Sequence, residues 1–295
     1  MDTYQLDEYY AFMADAPKMR AYQQALERFS PGKVVLDLGA GLAPLGFMAL
    51  RAGARKLYVV ERGPVIELAR RAALQMGVLD RVVFIRGLSS QLDLPEKVDV
   101  IVTETFGSLG IEENATEFLI DARERFLAPG GVMIPNRLEV YLGLCQEPQY
   151  EAELGFWKNA FGLDYSSVIE QAASRKRSVE LPYETLLTAP QVLCDLDFMK
   201  VLRPTFSRFF TFVVQRAGVL NSFCGWFEAT LGEGITINTA PGREKTHWKQ
   251  GILPLSRPFA VLPGDEVFVW FDASPSPNRR DDLSIQFKLA LKRHN

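Results

Sequence analysis

The sequence predicts an α/β chain in two parts: a parallel, doubly covered sheet, then a β-rich domain with a helical insert. Up to about residue 135, short apolar runs alternate with helix-spaced stretches. That alternation is the mark of a parallel sheet with helices on both faces. From 136 to 295, strand-like runs follow one another directly, separated by turn residues. The boundary is placed near Pro135, giving domains 1–135 and 136–295.

In the first part, Val34-Val35-Leu36 is an apolar run ending in a glycine-rich turn. Leu45 to Arg51 is a helix that Gly53 can cap. Leu57 to Val60 is a second strand ending at Glu61, and Val65 to Met76 is a helix closing at Gly77. Val82 to Ile85 and Val98 to Val102 are two further strands, the latter ending at Thr103-Glu104. Leu127-Ala128-Pro129-Gly130-Gly131 reads as a turn into Val132-Met133-Ile134. In the second part, Leu138 to Leu144, Phe209 to Gln215, Phe223 to Leu231, Glu266 to Phe271 and Leu283 to Leu291 read as strands. Pro263-Gly264-Asp265 and 275–278 are turn signals. The insert 150–177 reads as helical, with Phe156, Trp157, Phe161 and Tyr165 at helix-like spacing.

The composition narrows the function. The 295 residues are 47% hydrophobic and 23% charged, with net charge −3. This is ordinary for a globular protein and provides no global basic field for nucleic acid. The amino terminus, MDTYQLDEYY, has no apolar core of a signal peptide, and no run of about 18 apolar residues predicts a membrane span. Cys145, Cys194 and Cys224 are far apart and lack metal spacing, so they read as reduced core residues of a cytoplasmic protein. With only His247 and His294 present, no histidine-rich metal site is expected.

Three features carry chemistry. Asp37-Leu38-Gly39-Ala40-Gly41 puts two glycines where a strand turns toward a helix, and glycine lets backbone approach a ligand closely. Glu61 lies 24 residues beyond Asp37, at the end of the next strand. An acid there can accept hydrogen bonds from both hydroxyls of a ribose. A dinucleotide site would want a third glycine to seat a pyrophosphate, but Ala43-Pro44 occupy that region. The second feature is the loop after the fourth strand, where Glu104 and Glu113 are nine positions apart with two glycines between them. By spacing alone they are either ordinary surface acids or a facing pair. A facing pair wants a cation between them, and a guanidinium matches carboxylates bidentately. The third feature is the distant run Glu244-Lys245-Thr246-His247-Trp248-Lys249-Gln250.

Taken together, these motifs resemble the protein arginine methyltransferases, and the chain is identified as a compact, bacterial-type member. The Asp37-x-Gly-x-Gly loop is similar to motif I of class I methyltransferases. The Glu104–Glu113 loop, Leu127 to Gly131, Gly225-Trp226-Phe227, Thr246-His247-Trp248 and Gly264-Asp265-Glu266 stand in the family's order. The resemblance covers residues 4 to 291. It implies a Rossmann-like class I methyltransferase sheet followed by a β-barrel, with 150–177 as a dimerisation arm in a homodimer. It implies S-adenosyl-L-methionine as cofactor, with Asp37, Gly39, Gly41 and Glu61 holding it. Glu104 and Glu113 would hold the substrate guanidinium, and His247 would line the same pocket. Trp248 and Tyr9 would shape that pocket, and 4–26 would fold over the cofactor as a lid.

The sequence departs from the family's pattern at several positions. Phe12 stands where a methionine is usual, Lys18 where an arginine meets the cofactor carboxylate, and Ser90 where an acid lies near the adenine. Ala43 replaces a third glycine. The acid expected to pair with the histidine has Asp7 as its candidate. The acceptor is a protein arginine, a peptide, free arginine or a related guanidine. The alternatives are methylation of another metabolite nucleophile, or a non-catalytic cofactor-binding dimer.

Overall fold

The computed structural model describes residues 5–112, 115–202, 206–275 and 283–294. The amino-terminal helices are α1 (Gln5–Ala14) and α2 (Ala16–Phe29). The elements β1 (Val34–Leu38), α3 (Pro44–Arg51), β2 (Lys56–Glu61), α4 (Ile66–Gln75), β3 (Val82–Arg86), β4 (Val98–Thr103), α5 (Ala115–Phe126) and β5 (Leu127–Ile134) follow. After the cis Ile134–Pro135 peptide come β6 (Arg137–Cys145), α6 (Pro148–Lys158), α7 (Ile169–Ala173), β7 (Arg177–Val179), β8 (Gln191–Asp197) and β9 (Phe206–Val213). The chain continues through β10 (Gly218–Gly232), β11 (Ile235–Asn238), β12 (Gln250–Val261), β13 (Glu266–Pro275) and β14 (Leu283–Lys292).

The first sheet is parallel, in the order β3-β2-β1-β4-β5. Every residue of β1 is buried, as expected for a strand covered on both faces. Strand order reverses between β1 and β4, so their carboxyl ends open a crevice at a topological switch point. Asp37 and Leu38 end one of these strands, and Thr103 ends the other with Glu104 next. Helix α2 closes over this end: the Tyr22 hydroxyl donates to the Thr103 carbonyl at 2.8 Å.

The second part contains two antiparallel sheets. One runs β7-β12-β10-β6-β8 with β11 on β10, and the other runs β14-β13-β9. The expected barrel therefore takes the form of two ladders packed face to face. They are joined by an isolated bridge between Thr188 and Val214 and by contacts such as the Phe223 and Phe287 rings, 4.7 Å apart. One hydrophobic core runs continuously through the parallel sheet and both antiparallel sheets. At Gly225 the absence of a side chain matters, because a Cβ there would lie 2.2 Å from Leu109. That close approach seats the loop after β4 against β10.

Three sequence expectations are corrected. Strands β7, β8, β11 and β12 stand outside the expected set, and in β12 Pro254 and Pro258 argue locally against a strand between two others. The chain accommodates them through a register shift between Leu220 and Ser222 of β10. The turn expected at Leu127 to Gly131 is part of β5, with an irregularity opposite Val98–Val100. The insert is not one helix: α6 stops at Lys158, and Phe161 and Gly162 take positive φ of 55° and 85° before α7 begins. No helix among the described residues is long and apolar enough to cross a membrane.

Candidate active site

A cleft of about 630 Å³ opens at the switch point. Its floor is the turn after β1. Gly39 and Gly41 take positive φ of 67° and 55°, where a side chain is strained. Space is equally limiting: a Cβ on Gly39 would lie 2.4 Å from Thr105, and one on Gly41 2.7 Å from the Tyr9 ring. Asp37 is buried beneath the turn and accepts the Gly46 N–H at 2.7 Å. Burial pushes its carboxyl up to about 8, against the stabilising Gly46 bond and with a smaller push from Glu61. Glu61 accepts the Gly41 N–H at 2.9 Å and the Gly63 N–H at 2.6 Å. Each carboxylate oxygen keeps a further lone pair for a ribose hydroxyl.

These residues fit S-adenosylmethionine better than a dinucleotide. Helix α3 starts at Ala43 in the left-handed region followed by Pro44. Proline has no N–H to offer a phosphate at that helix terminus. An adenosine with a sulfonium-bearing amino acid makes no such demand.

The other side of the cleft is built from α1, α2 and the loop before β12. Asp15 caps α2, its Oδ1 accepting the Lys18 N–H at 3.1 Å. Its Oδ2 meets both the His247 backbone N–H at 2.7 Å and His247 Nδ1 at 3.0 Å. With Nδ1 donating to Asp15, Nε2 is left on the Glu104 side, 3.4 Å from Oε1. Burial holds the His247 imidazole below its ordinary pKa, with Lys18 adding to this and Asp15 opposing it. Burial would raise Asp15, but the hydrogen bonds from His247 and Lys18 outweigh it and hold the carboxyl low. Trp248 is buried, donates from Nε1 to the Phe106 carbonyl at 2.8 Å, and packs edge-on against Phe227.

Lys18 is fully buried, its ammonium 3.5 Å from Glu104 and 3.0 Å from the centroid of the Phe12 ring. Burial drags its pKa down to about 8, partly offset by Glu104 and Asp15. On the far wall stand Lys176 and Ser178 from the edge of β7. Lys176 pairs with Glu112, whose Oε2 accepts the Leu109 N–H at 2.8 Å.

The family model described as the arginine methyltransferase oligomerization subdomain matches residues 136–293. Over 90% of its length the chain is 31% identical to protein arginine N-methyltransferase 2 of Xenopus tropicalis, spanning 68% of that protein. The chain belongs to the protein arginine methyltransferase family. Protein arginine N-methyltransferase 6 of Danio rerio is 29% identical, with 96% of this chain and 87% of that one covered. Among solved structures, Arabidopsis thaliana protein arginine methyltransferase 10 superimposes with a TM-score of 0.83 at 25% identity, covering 98% and 93% of the two chains. The Trypanosoma brucei PRMT1 enzyme-prozyme heterotetrameric complex with AdoHcy shares the fold, with a TM-score of 0.88 at 24% identity and 99% and 95% coverage.

The structure of this arginine methyltransferase family member brings most of the expected residues to one cleft: Tyr9, Phe12, Asp37, Gly39, Gly41, Glu61, Glu104, His247 and Trp248 all line it. Within that cleft Tyr9 stands against Gly41, where α1 lays it over the turn after β1. Lys18 does not itself line the cleft: it lies behind Phe12, with its ammonium on Glu104 of the cleft lining. Ser90 is exposed in a short turn, Ser89–Gln91, and does not line the cleft. Glu113 lies outside the described residues. Asp7 is exposed on α1 and is not the histidine's partner; Asp15 is. The signal for Asp15 was present as an aspartate ahead of Ala16-Pro17, a helix cap with proline in the first turn. Lys176 and Glu112 were missed: nothing in their spacing, 64 residues apart, links them.

Proposed function

We propose that this chain transfers a methyl group from S-adenosylmethionine to a terminal nitrogen of an arginine guanidinium. The observation that carries this reading is the Asp15–His247–Glu104 array on the wall opposite the Gly39–Gly41 turn of a single cleft. The family membership supports the same chemistry. The cofactor, when bound, supplies a methyl on a positively charged sulfur.

The protein's own residues do the rest. Gly39 and Gly41 let the cofactor lie against backbone, Glu61 accepts from its ribose, and Tyr9 closes over it. Glu104 takes part of the guanidinium and draws positive charge toward the nitrogens it binds. The remaining nitrogen then has more lone-pair character and is held for in-line attack at about 3–3.5 Å. Glu113, in the same loop, is proposed as the second carboxylate of this grip. Carboxylates near the developing cation favour the transition state. His247, kept neutral by burial and held in one tautomer by Asp15, takes the departing proton at Nε2. Phe12 and Trp248 exclude water around the reacting nitrogen.

We assign 150–177, within the region matched by the oligomerization model, as the arm of a homodimer. Phe161 is 96% exposed there, and Phe156, Leu163 and Tyr165 are exposed beside it. Domains 1–135 and 136–295 are proposed as cofactor and acceptor units sharing one core.

Labelled cofactor is to be incubated with a methylatable protein, an arginine-rich peptide and free L-arginine, and the product identified by mass. Label on a guanidine nitrogen of any acceptor is expected. Cofactor binding without label on any guanidine contradicts the reading.

A further inference from the structure

Lys176 puts a cation on the acceptor side of the cleft. Its side chain lines the cleft and is 34% exposed, whereas its partner Glu112 is 6% exposed and does not line it. Glu112 is held from within the loop by the Leu109 N–H and by the Ser108 hydroxyl at 3.4 Å. Gly107 makes room for it, since a Cβ there would lie 2.7 Å from the Glu112 carboxyl carbon. The base of Lys176 is fixed as well. Next in sequence, Arg177 grips Glu153 of α6 through two hydrogen bonds of 2.8 and 3.1 Å. Ser178 then donates to Ser108 at 3.1 Å. Strand β7 thus ties the arm to the loop that carries the acidic residues, and holds one ammonium over one buried carboxylate.

We propose that Lys176 is an internal counterion of Glu112, and that an arginine acceptor displaces it to gain a carboxylate in addition to Glu104 and Glu113. The inference rests on the reading of the chain as a guanidine methyltransferase. The chemistry favours the exchange in one direction. A guanidinium meets a carboxylate through a planar, bidentate fork, whereas an ammonium is a point charge. A partly exposed ion pair is worth little, and the displaced ammonium is already at the cleft surface and rehydrates there. A lysine acceptor would only exchange one ammonium for another. Lys176 therefore lowers the affinity of any cationic acceptor, and the bidentate guanidinium fork offsets that cost where a second ammonium does not.

The test is equilibrium binding of a glycine-flanked single-arginine peptide to the protein saturated with S-adenosylhomocysteine, with the lysine peptide as control. Lys176→Met is expected to tighten arginine-peptide binding about two- to fivefold, the range for removing one partly exposed ion pair. Glu112→Gln is expected to weaken it about tenfold. In the double variant the gain from Lys176→Met disappears. S-adenosylhomocysteine affinity and thermal unfolding report whether each variant is folded. Unchanged or weaker peptide binding in Lys176→Met, or a gain that persists beside Glu112→Gln, overturns the inference. Methylarginine formed by the wild-type protein without tightening in Lys176→Met overturns this inference alone. Neither binding nor methylarginine in the wild-type protein overturns both the inference and the functional reading.

Discussion

Asp15 and His247, 232 residues apart, meet through a single carboxylate oxygen that takes both the backbone N–H and the ring Nδ1 of the histidine. The contact ties the lid to the loop before β12 and fixes which ring nitrogen faces the cleft. Asp15→Asn removes the negative charge that opposes burial, so the His247 pKa is expected to fall further below its ordinary value. With two histidines in the chain, an NMR titration resolves it directly. Turnover is expected to drop about tenfold to a hundredfold, within the reach of lost acid–base catalysis. A His247 titration that does not move contradicts the assignment.

Lys18 works on the same histidine from the other side, its positive charge helping to hold the imidazole neutral. Lys18→Met is expected to raise the His247 pKa and to shift the acidic limb of the kcat profile to higher pH. The same titration checks it, and a downward shift would contradict it.

The turn at Gly39 is under both steric and backbone constraint. Gly39→Ala is expected to destabilise the protein by about 1–2 kcal/mol from the left-handed backbone alone, before the clash with Thr105. Urea unfolding measures this, and a stability equal to wild type would show that the turn rearranges freely.

Asp37 makes stability depend on pH. Its pKa in the folded protein is raised to about 8, whereas an exposed aspartate ionises near 4. Ionisation is therefore penalised in the folded state alone, and wild-type stability is lost as pH rises from about 4 to about 8. Asp37→Asn keeps an oxygen for the Gly46 N–H and has no proton to lose. Its stability relative to wild type is expected to grow between pH 5 and pH 8, as read by urea unfolding at each pH. A constant difference would place the ionised carboxylate in a better-solvated setting than its burial implies.

The parallel sheet was legible because each strand is a continuous apolar run ended by a turn or an acid. The antiparallel part is legible where a strand is long and apolar; β12 is interrupted by Pro254 and Pro258, and β7, β8 and β11 are short or mixed in polarity. The cofactor turn and Glu61 were readable because they lie within one β-turn-α-β unit. The site across the cleft depends on long-range contacts. Asp15 carried a helix-cap signal but none for its partner 232 residues away, and Asp7 was chosen in its place. Lys18 was assigned from its position in the lid. Its contact with Glu104 behind Phe12 follows from how α2 packs, which no local pattern records.

Glu104 is proposed to hold a guanidinium in line with the cofactor's methyl group. This role is tested most directly by mass analysis of an arginine acceptor after incubation with labelled cofactor, comparing wild type with Glu104→Gln at matched cofactor saturation. Methylarginine is expected from the wild-type protein, with a rate lower by about 10²–10³ in the variant, the scale of losing one transition-state electrostatic contact. Equal rates in the two proteins, or no methylarginine from a wild-type protein that binds the cofactor, would contradict this role.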